Sequence, residues 1–323
     1  MDKRLAIVCA LAMGVGCGGG NTTNDAAMTA DDSGGGGTDA ACVATDGGVP
    51  TFPALAVPSG STIDFSCRGH ATMPAGGAAT SATLVVNEYL STSTAISNTV
   101  IDIWTNDMVG TGACSTPNCV TVTTDASGHA TAMAPLGGWV AYHLHPSSST
   151  AEVLAYNMPW APTGGNVTTA GFASSTISTV SALLSRTFSM TTAGAVSGQV
   201  TDCMGHDVQN AEARVYMGTT RIMSGPNCDR SSPRITGLEG TMPTTRNMGL
   251  TGSGGTFVGA NVPAGDSYRV EIWGMQPGGT AAQLIGCEEG RVVAGGITVL
   301  AIGPLRSDYA TGSACAMAAA ANP

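Results

Sequence analysis

The 323-residue chain contains a single lysine, Lys3, and few charges of any kind: 12 Lys plus Arg against 22 Asp plus Glu, or 11% charged residues. Between Cys17 and Arg186 the only basic residue other than histidine is Arg68. Neutralising phosphates takes clustered Lys or Arg, so nucleic acid and anionic membrane surfaces are poor partner candidates, and no nucleic acid is expected. The scarcity of lysine also removes phosphate-loop and Schiff-base chemistry. Aromatic residues amount to 5%. Neither the Gly-x-Ser-x-Gly turn of a serine nucleophile nor the His-Glu-x-x-His of a zinc protease occurs. No Cys-x-x-Cys pair occurs either, which argues against structural zinc. With no cofactor motif in the chain, no cofactor and no catalytic residue are expected.

The strongest local signal is at the start. Asp2, Lys3 and Arg4 precede a short apolar run, Leu5 to Val15, interrupted by Gly14 and too short to span a bilayer. Gly14-Val15-Gly16 then lead into Cys17. This resembles the lipobox of bacterial lipoproteins, with Gly14 where that pattern usually has Leu. The resemblance implies a signal peptide over residues 1–16 and a lipidated Cys17 that anchors the chain outside the cytoplasm. Gly18, in place of Asp, resembles the outer-membrane sorting signal of some Gram-negative bacteria. Removing residues 1–16 takes away one acid and two bases, so the formal charge moves from −10 to −11. Residues 17–50, rich in Gly, Asp and Thr, hold too little apolar surface to fold and are expected to form a disordered tether.

Of the ten cysteines, Cys9 leaves with the signal and Cys17 carries lipid. Cys42, Cys67, Cys114, Cys119, Cys203, Cys228, Cys287 and Cys315 remain, an even number that predicts disulfides in an exported chain. Sequence does not fix the connectivity. Chain order favours Cys42–Cys67, Cys114–Cys119, Cys203–Cys228 and Cys287–Cys315.

Gly is abundant at 45 residues, and Ser, Thr, Val and Ala fill much of the rest, which favours short strands and frequent turns. Two halves follow one pattern. Asn98 to Trp104, the turn Thr124 to Gly128, and Pro135 to His145 in the first half match Asn210 to Tyr216, Thr251 to Phe257, and Val262 to Trp273 in the second. Val140, Tyr142 and Leu144 share one strand face, as do Tyr268, Val270 and Ile272, while Arg269, Glu271 and Trp273 point the other way. This predicts an all-β fold of two antiparallel Ig-like or transthyretin-like sandwiches, over residues 51–165 and 195–310. Residues 166–194 are read as a linker with one helix, since Ile177, Val180, Leu183 or Leu184, and Thr187 fall at helical spacing. Ser174 or Ser175 is the expected cap. Residues 311–323 are read as a tail.

Val196-Ser-Gly198-Gln-Val200-Thr-Asp202-Cys-Met-Gly205, then Val208 to Val215, resemble the opening strand, Asp-x-x-Gly turn and second strand of the carboxypeptidase regulatory-like (transthyretin-like) family. The later Gly-x-Phe and Pro-x-Gly pieces follow in that family's order. The resemblance covers residues 195–305 and, less closely, residues 60–157; Met223 to Met248 exceeds a typical hairpin. It implies a β-sandwich. A related sandwich architecture carries ring-cleaving dioxygenases with two Tyr and two His on iron, a set not found here at compatible positions.

Few side chains suggest chemistry. His143 and His145, two apart on one strand face, could share a metal ion if a third ligand joined them, His129 being the nearby candidate. The simpler reading is a pair of solvent-side histidines, so no metal site is assigned. Asp125 and Asp202 are read as turn residues, each ahead of a glycine, because the further oxygen ligands of a calcium loop are missing. Trp139 and Trp273 sit at matching places in the two halves, off the core face, where they could contact a ligand. Together these features predict a lipid-anchored envelope or cell-surface protein, on the outer membrane or cell surface. Its expected role is binding, adhesion or scaffolding, with an envelope protein or polysaccharide as partner. A metal-dependent enzyme and a self-associating fibre subunit are the alternatives.

Overall fold

The computed structural model describes residues 52–58, 60–89, 91–225, 229–240, 242–243 and 249–322. The signal segment, Cys17, the tether, Cys42 and Cys228 lie outside them. The first half contributes β1 (Ala79–Glu88), β2 (Ser91–Ala95), β3 (Val100–Trp104), β4 (Cys119–Thr123), β5 (His129–Pro135), β6 (Trp139–Leu144), β7 (Val153–Pro159) and β8 (Asn166–Gly171). Helix α1 (Ser174–Leu183) follows. The second half contributes β9 (Ala193–Val200), β10 (Glu212–Met217), β11 (Thr220–Arg221), β12 (Arg234–Glu239), β13 (Met242–Pro243), β14 (Thr256–Pro263), β15 (Gly265–Gly274), β16 (Gln283–Val292) and β17 (Ile297–Ile302), and α2 (Ala314–Ala321) ends the chain.

The fold is all-β, with mostly antiparallel sheets packed as sandwich layers. In the first half β1 lies between antiparallel β5 and parallel β8, facing a layer ordered β4-β3-β6-β7. The second half repeats this plan. There β9 lies between antiparallel β14 and parallel β17, facing β11-β10-β15-β16. The elements matched in the sequence take equivalent places: β3 with β10, the turn before β5 with the turn before β14, and β6 with β15.

The halves are fused through a sheet. β7 pairs in parallel with β17, from Val153 opposite Ile297 to Tyr156 opposite Leu300. A nine-stranded sheet results, ordered β13-β12-β14-β9-β17-β7-β6-β3-β4. Its middle strands are buried on both faces. On β7, Val153 and Ala155 enter the first core beside Leu84, Ile103 and Tyr142, whereas Leu154 and Tyr156 enter the second beside Val215, Phe257 and Ile272. A strand covered on both sides needs apolar residues at consecutive positions, and Val153-Leu154-Ala155-Tyr156 supplies them. Strand β8 occupies part of the stretch read as linker. Helix α1 packs on the sheet, with Val180 and Leu184 against Leu238, Val258 and Ala260. Residues 54–58 and 60–71, within the stretch read as the first sandwich, run along the second half: Ala54 and Ala56 bridge to Met275 and Gln209, and Ala71 to Arg306.

That path corrects the disulfide pairing. The Cys203 N–H donates to Asp64 O at 2.9 Å, which brings Cys67 beside Cys203, and these two are bonded. Cys42–Cys67 and Cys203–Cys228 are therefore both overturned. Cys114 is bonded to Cys119 and Cys287 to Cys315. The helix start is also corrected. Ala173 occupies the N-cap and no side chain caps the helix, because Ser174 and Ser175 already lie in its first turn. The helix closes where Ser185 takes φ 56° and the Arg186 N–H donates to Ser181 O. The tail contains a helix, α2, where alanine propensity and the Ser313 cap act together.

Candidate functional site

Strands β7, β9 and β17 are mutually parallel, so their carboxyl ends emerge at one edge of the shared sheet. A cleft of about 630 Å³ opens there, within the size range of small-molecule sites. Asn157, Gln199 and Ala301 line it from these three strand ends, and Trp139 and Glu288 add to it from β6 and β16. Its rim carries Cys67, Cys203 and Cys287, held by two of the disulfides.

Asn157 reaches the cleft through a bulge. Val140 stands opposite Met158 and Tyr142 opposite Ala155, so Tyr156 and Asn157 together oppose Ala141. Asn157 takes φ 58°, a conformation Asn tolerates better than most residues. Its amide donates to Glu288 Oε2 and to Ala301 O. Glu288 is 3% exposed, and burial pushes its carboxyl up to about 8, with the nearby Arg306 guanidinium opposing the shift. Arg306 is tied instead to Asp107, at 3.1 Å, and stacks over Tyr309. Gln199 donates to Asp207 Oδ1 at 2.7 Å and to Gly254 O, and burial raises the Asp207 carboxyl. Asn157 Oδ1 and Gln199 Oε1 are buried acceptors with no partner. Buried polar atoms are nearly always satisfied, and these two belong to residues that line one cleft.

The residues singled out in the sequence are not brought together. Trp139 lines the cleft. Trp273 does not: its indole N–H donates to Glu271 Oε2 at 2.9 Å, the Arg214 guanidinium lies 4.3 Å over its ring, and it packs beside α2. His143 and His145 lie at the first-half end of the shared sheet, with ring centroids 4.1 Å apart. His143 Nε2 is 2.8 Å from Glu152 Oε1, and His145 Nε2 is 2.9 Å from Asp102 Oδ2. The hydrogen bond from His143 holds the Glu152 carboxyl below its usual range. The groups beside the histidines are thus the carboxylates of Asp102 and Glu152. His129 begins β5 in the other sheet layer, with its backbone N–H on Asp125 Oδ1.

Asn157, Gln199 and Glu288 escaped the sequence reading. A signal existed for two of them: Asn157 interrupts the run Val153 to Tyr156, and Glu288-Glu289 places consecutive acids in a strand, where alternation must turn one inward. Asp125 and Asp202 are turn residues. Each Oδ1 accepts the N–H groups two and four residues on, with Gly128 (φ 76°) and Gly205 (φ 76°) each three residues after its Asp.

Among the described residues no helix is long and apolar enough to cross a membrane. No protein-family model matches the chain, and no curated protein sequence matches it. Similar solved structures include the Bacillus anthracis TIE protein, 12% identical over 70% of this chain and 34% of that one, with a TM-score of 0.22. The minor pilin GBS52 of Streptococcus agalactiae is 10% identical over 72% of this chain and 99% of its own, with a TM-score of 0.21. BcpA, the major pilin subunit of Bacillus cereus, is 8% identical over 71% and 100%, with a TM-score of 0.24. The chain spans about a third of the TIE protein. Likeness at this level decides nothing about function.

Proposed function

We propose that the chain is a binding protein of the outer membrane or cell surface, anchored through lipid on Cys17, that takes a neutral, hydroxyl-rich ligand in the cleft. An envelope polysaccharide is the class that fits. The supporting observation is the combination on one cleft of the half-buried Trp139 with the unpaired acceptors of Asn157 and Gln199. An aromatic face suits the C–H side of a sugar ring, and buried acceptors suit its hydroxyls. Glu288, largely protonated at neutral pH, brings no full charge to the site. The carboxypeptidase regulatory-like character of the halves is part of this reading. It rests on the opening strand and turn from Val196 to Gly205.

The test mixes the purified, oxidised full chain with envelope extract separated into protein and polysaccharide fractions. Saturable capture of polysaccharide is expected, weakened at least tenfold in Trp139→Ala and Asn157→Ala with unchanged circular dichroism. Capture of neither fraction, or polysaccharide capture unaffected in both variants, would overturn the reading. Concentration-dependent polymers of the chain alone would favour the fibre subunit.

A further inference from the structure

We propose that Asp102, His143 and His145, with Glu152 beside them, form a binding site for a late first-row divalent metal ion. The site is separate from the cleft and does not depend on the function proposed there.

Sheet register builds it. Asp102 on β3 stands directly opposite His143 on β6. His145 follows two residues later, on the same face. His143 stands opposite Leu154 on β7, so Glu152, two residues before Leu154, lies on that face as well. The fourth strand supports the group: Thr121 on β4 is opposite Asp102, and its hydroxyl donates to Asp102 Oδ1 at 2.6 Å. That bond orients the carboxylate and leaves Oδ2 toward the histidines, the outer support that metal-ligating carboxylates usually have.

The dimensions fit an ion after small adjustments. One ligand atom from each of Asp102, His143 and His145 lies within 4.8 Å of the other two. Bonds of about 2.1 Å to a tetrahedral zinc ion place neighbouring ligand atoms roughly 3.4 Å apart. Closure therefore takes side-chain shifts of about 1 Å, and both histidine side chains are partly exposed while Asp102 is buried. Two imidazole nitrogens with one or two carboxylate oxygens suit zinc and its first-row neighbours, whereas calcium and magnesium prefer oxygen alone.

Two independent ion pairs are the competing account. They would need each histidine to hold its own acid apart from the other. Here the rings stack at 4.1 Å with 29° between planes, so the two pairs form one contiguous group. Cys114 and Cys119 also approach Asp102, but their sulfurs are bonded to each other and provide no thiolate, so the measurement keeps the disulfide intact.

Oxidised full chain, stripped with chelator and dialysed, would be titrated with Zn²⁺ in competition with a chromogenic chelator. One equivalent should bind with micromolar or tighter affinity. Affinity should fall at least roughly tenfold in Asp102→Asn and in the double variant His143→Gln with His145→Gln, and stay unchanged in His129→Gln. Circular dichroism establishes that each variant is folded. Absence of saturable one-equivalent binding overturns the proposal. So does equal affinity in folded Asp102→Asn and wild type.

Discussion

Glu288 shows how one buried side chain can set the pH behaviour of the protein. Its folded carboxyl titrates near 8, against an ordinary value of 4.5. The folded chain thus keeps a proton that the unfolded chain releases. The stability this contributes is fully present below pH 4.5, declines as pH rises toward 8, and is gone above it. Glu288→Gln copies the protonated form. Thermal melts from pH 5 to 9 should show the wild type losing stability relative to Glu288→Gln across that window, by roughly 4 kcal/mol at pH 9. Parallel curves would mean that Glu288 is ionised in the folded state. At this scale the sequence was partly legible. The spacing of His143 and His145 singled them out, but Asp102 lies 41 residues before His143, and only strand pairing brings it alongside.

Among the elements, β9 is the most constrained, since β14 and β17 pair with its two edges and both its faces are covered. Gly198 fits there because it has no side chain. A Cβ at this position would stand 2.6 Å from Phe257 Cε1 and 2.7 Å from Leu300 O. Gly198→Ala should destabilise the fold by about 1–3 kcal/mol, read as a lower urea midpoint; an unchanged midpoint would mean that the Phe257 ring swings clear. Strand alternation was readable in advance, because apolar residues two apart must share a face. Val140, Tyr142 and Leu144 are buried together in the first core, and Tyr268, Val270 and Ile272 in the second. The two Asp turns were readable for a similar reason, since each is closed by its own side chain. Helix α2 was not, because its Ala-rich run has no polar face to announce a helical period.

For the whole molecule, the shared sheet matters most. Alternate residues of β7 belong to different cores, so neither half can unfold without exposing apolar surface of the other. The Cys67–Cys203 bridge, spanning 136 residues, adds a covalent tie between the stretch ahead of β1 and the second half. Scanning calorimetry of the oxidised chain should show one transition with matching calorimetric and van't Hoff enthalpies. Two separated transitions would mean that the β7–β17 contact is weaker than either core. The sequence by itself determined the inward faces of β6 and β15, the Asp turns and the repeated order of the matched elements, since each depends on neighbours a few residues apart. Only the tertiary structure decided the β7–β17 pairing, the Cys67–Cys203 bridge and the cleft at the strand ends. An edge strand offers the same backbone N–H and C=O groups whatever its side chains. Its partner is therefore chosen by which surfaces can be buried together, and that is settled when the chain packs.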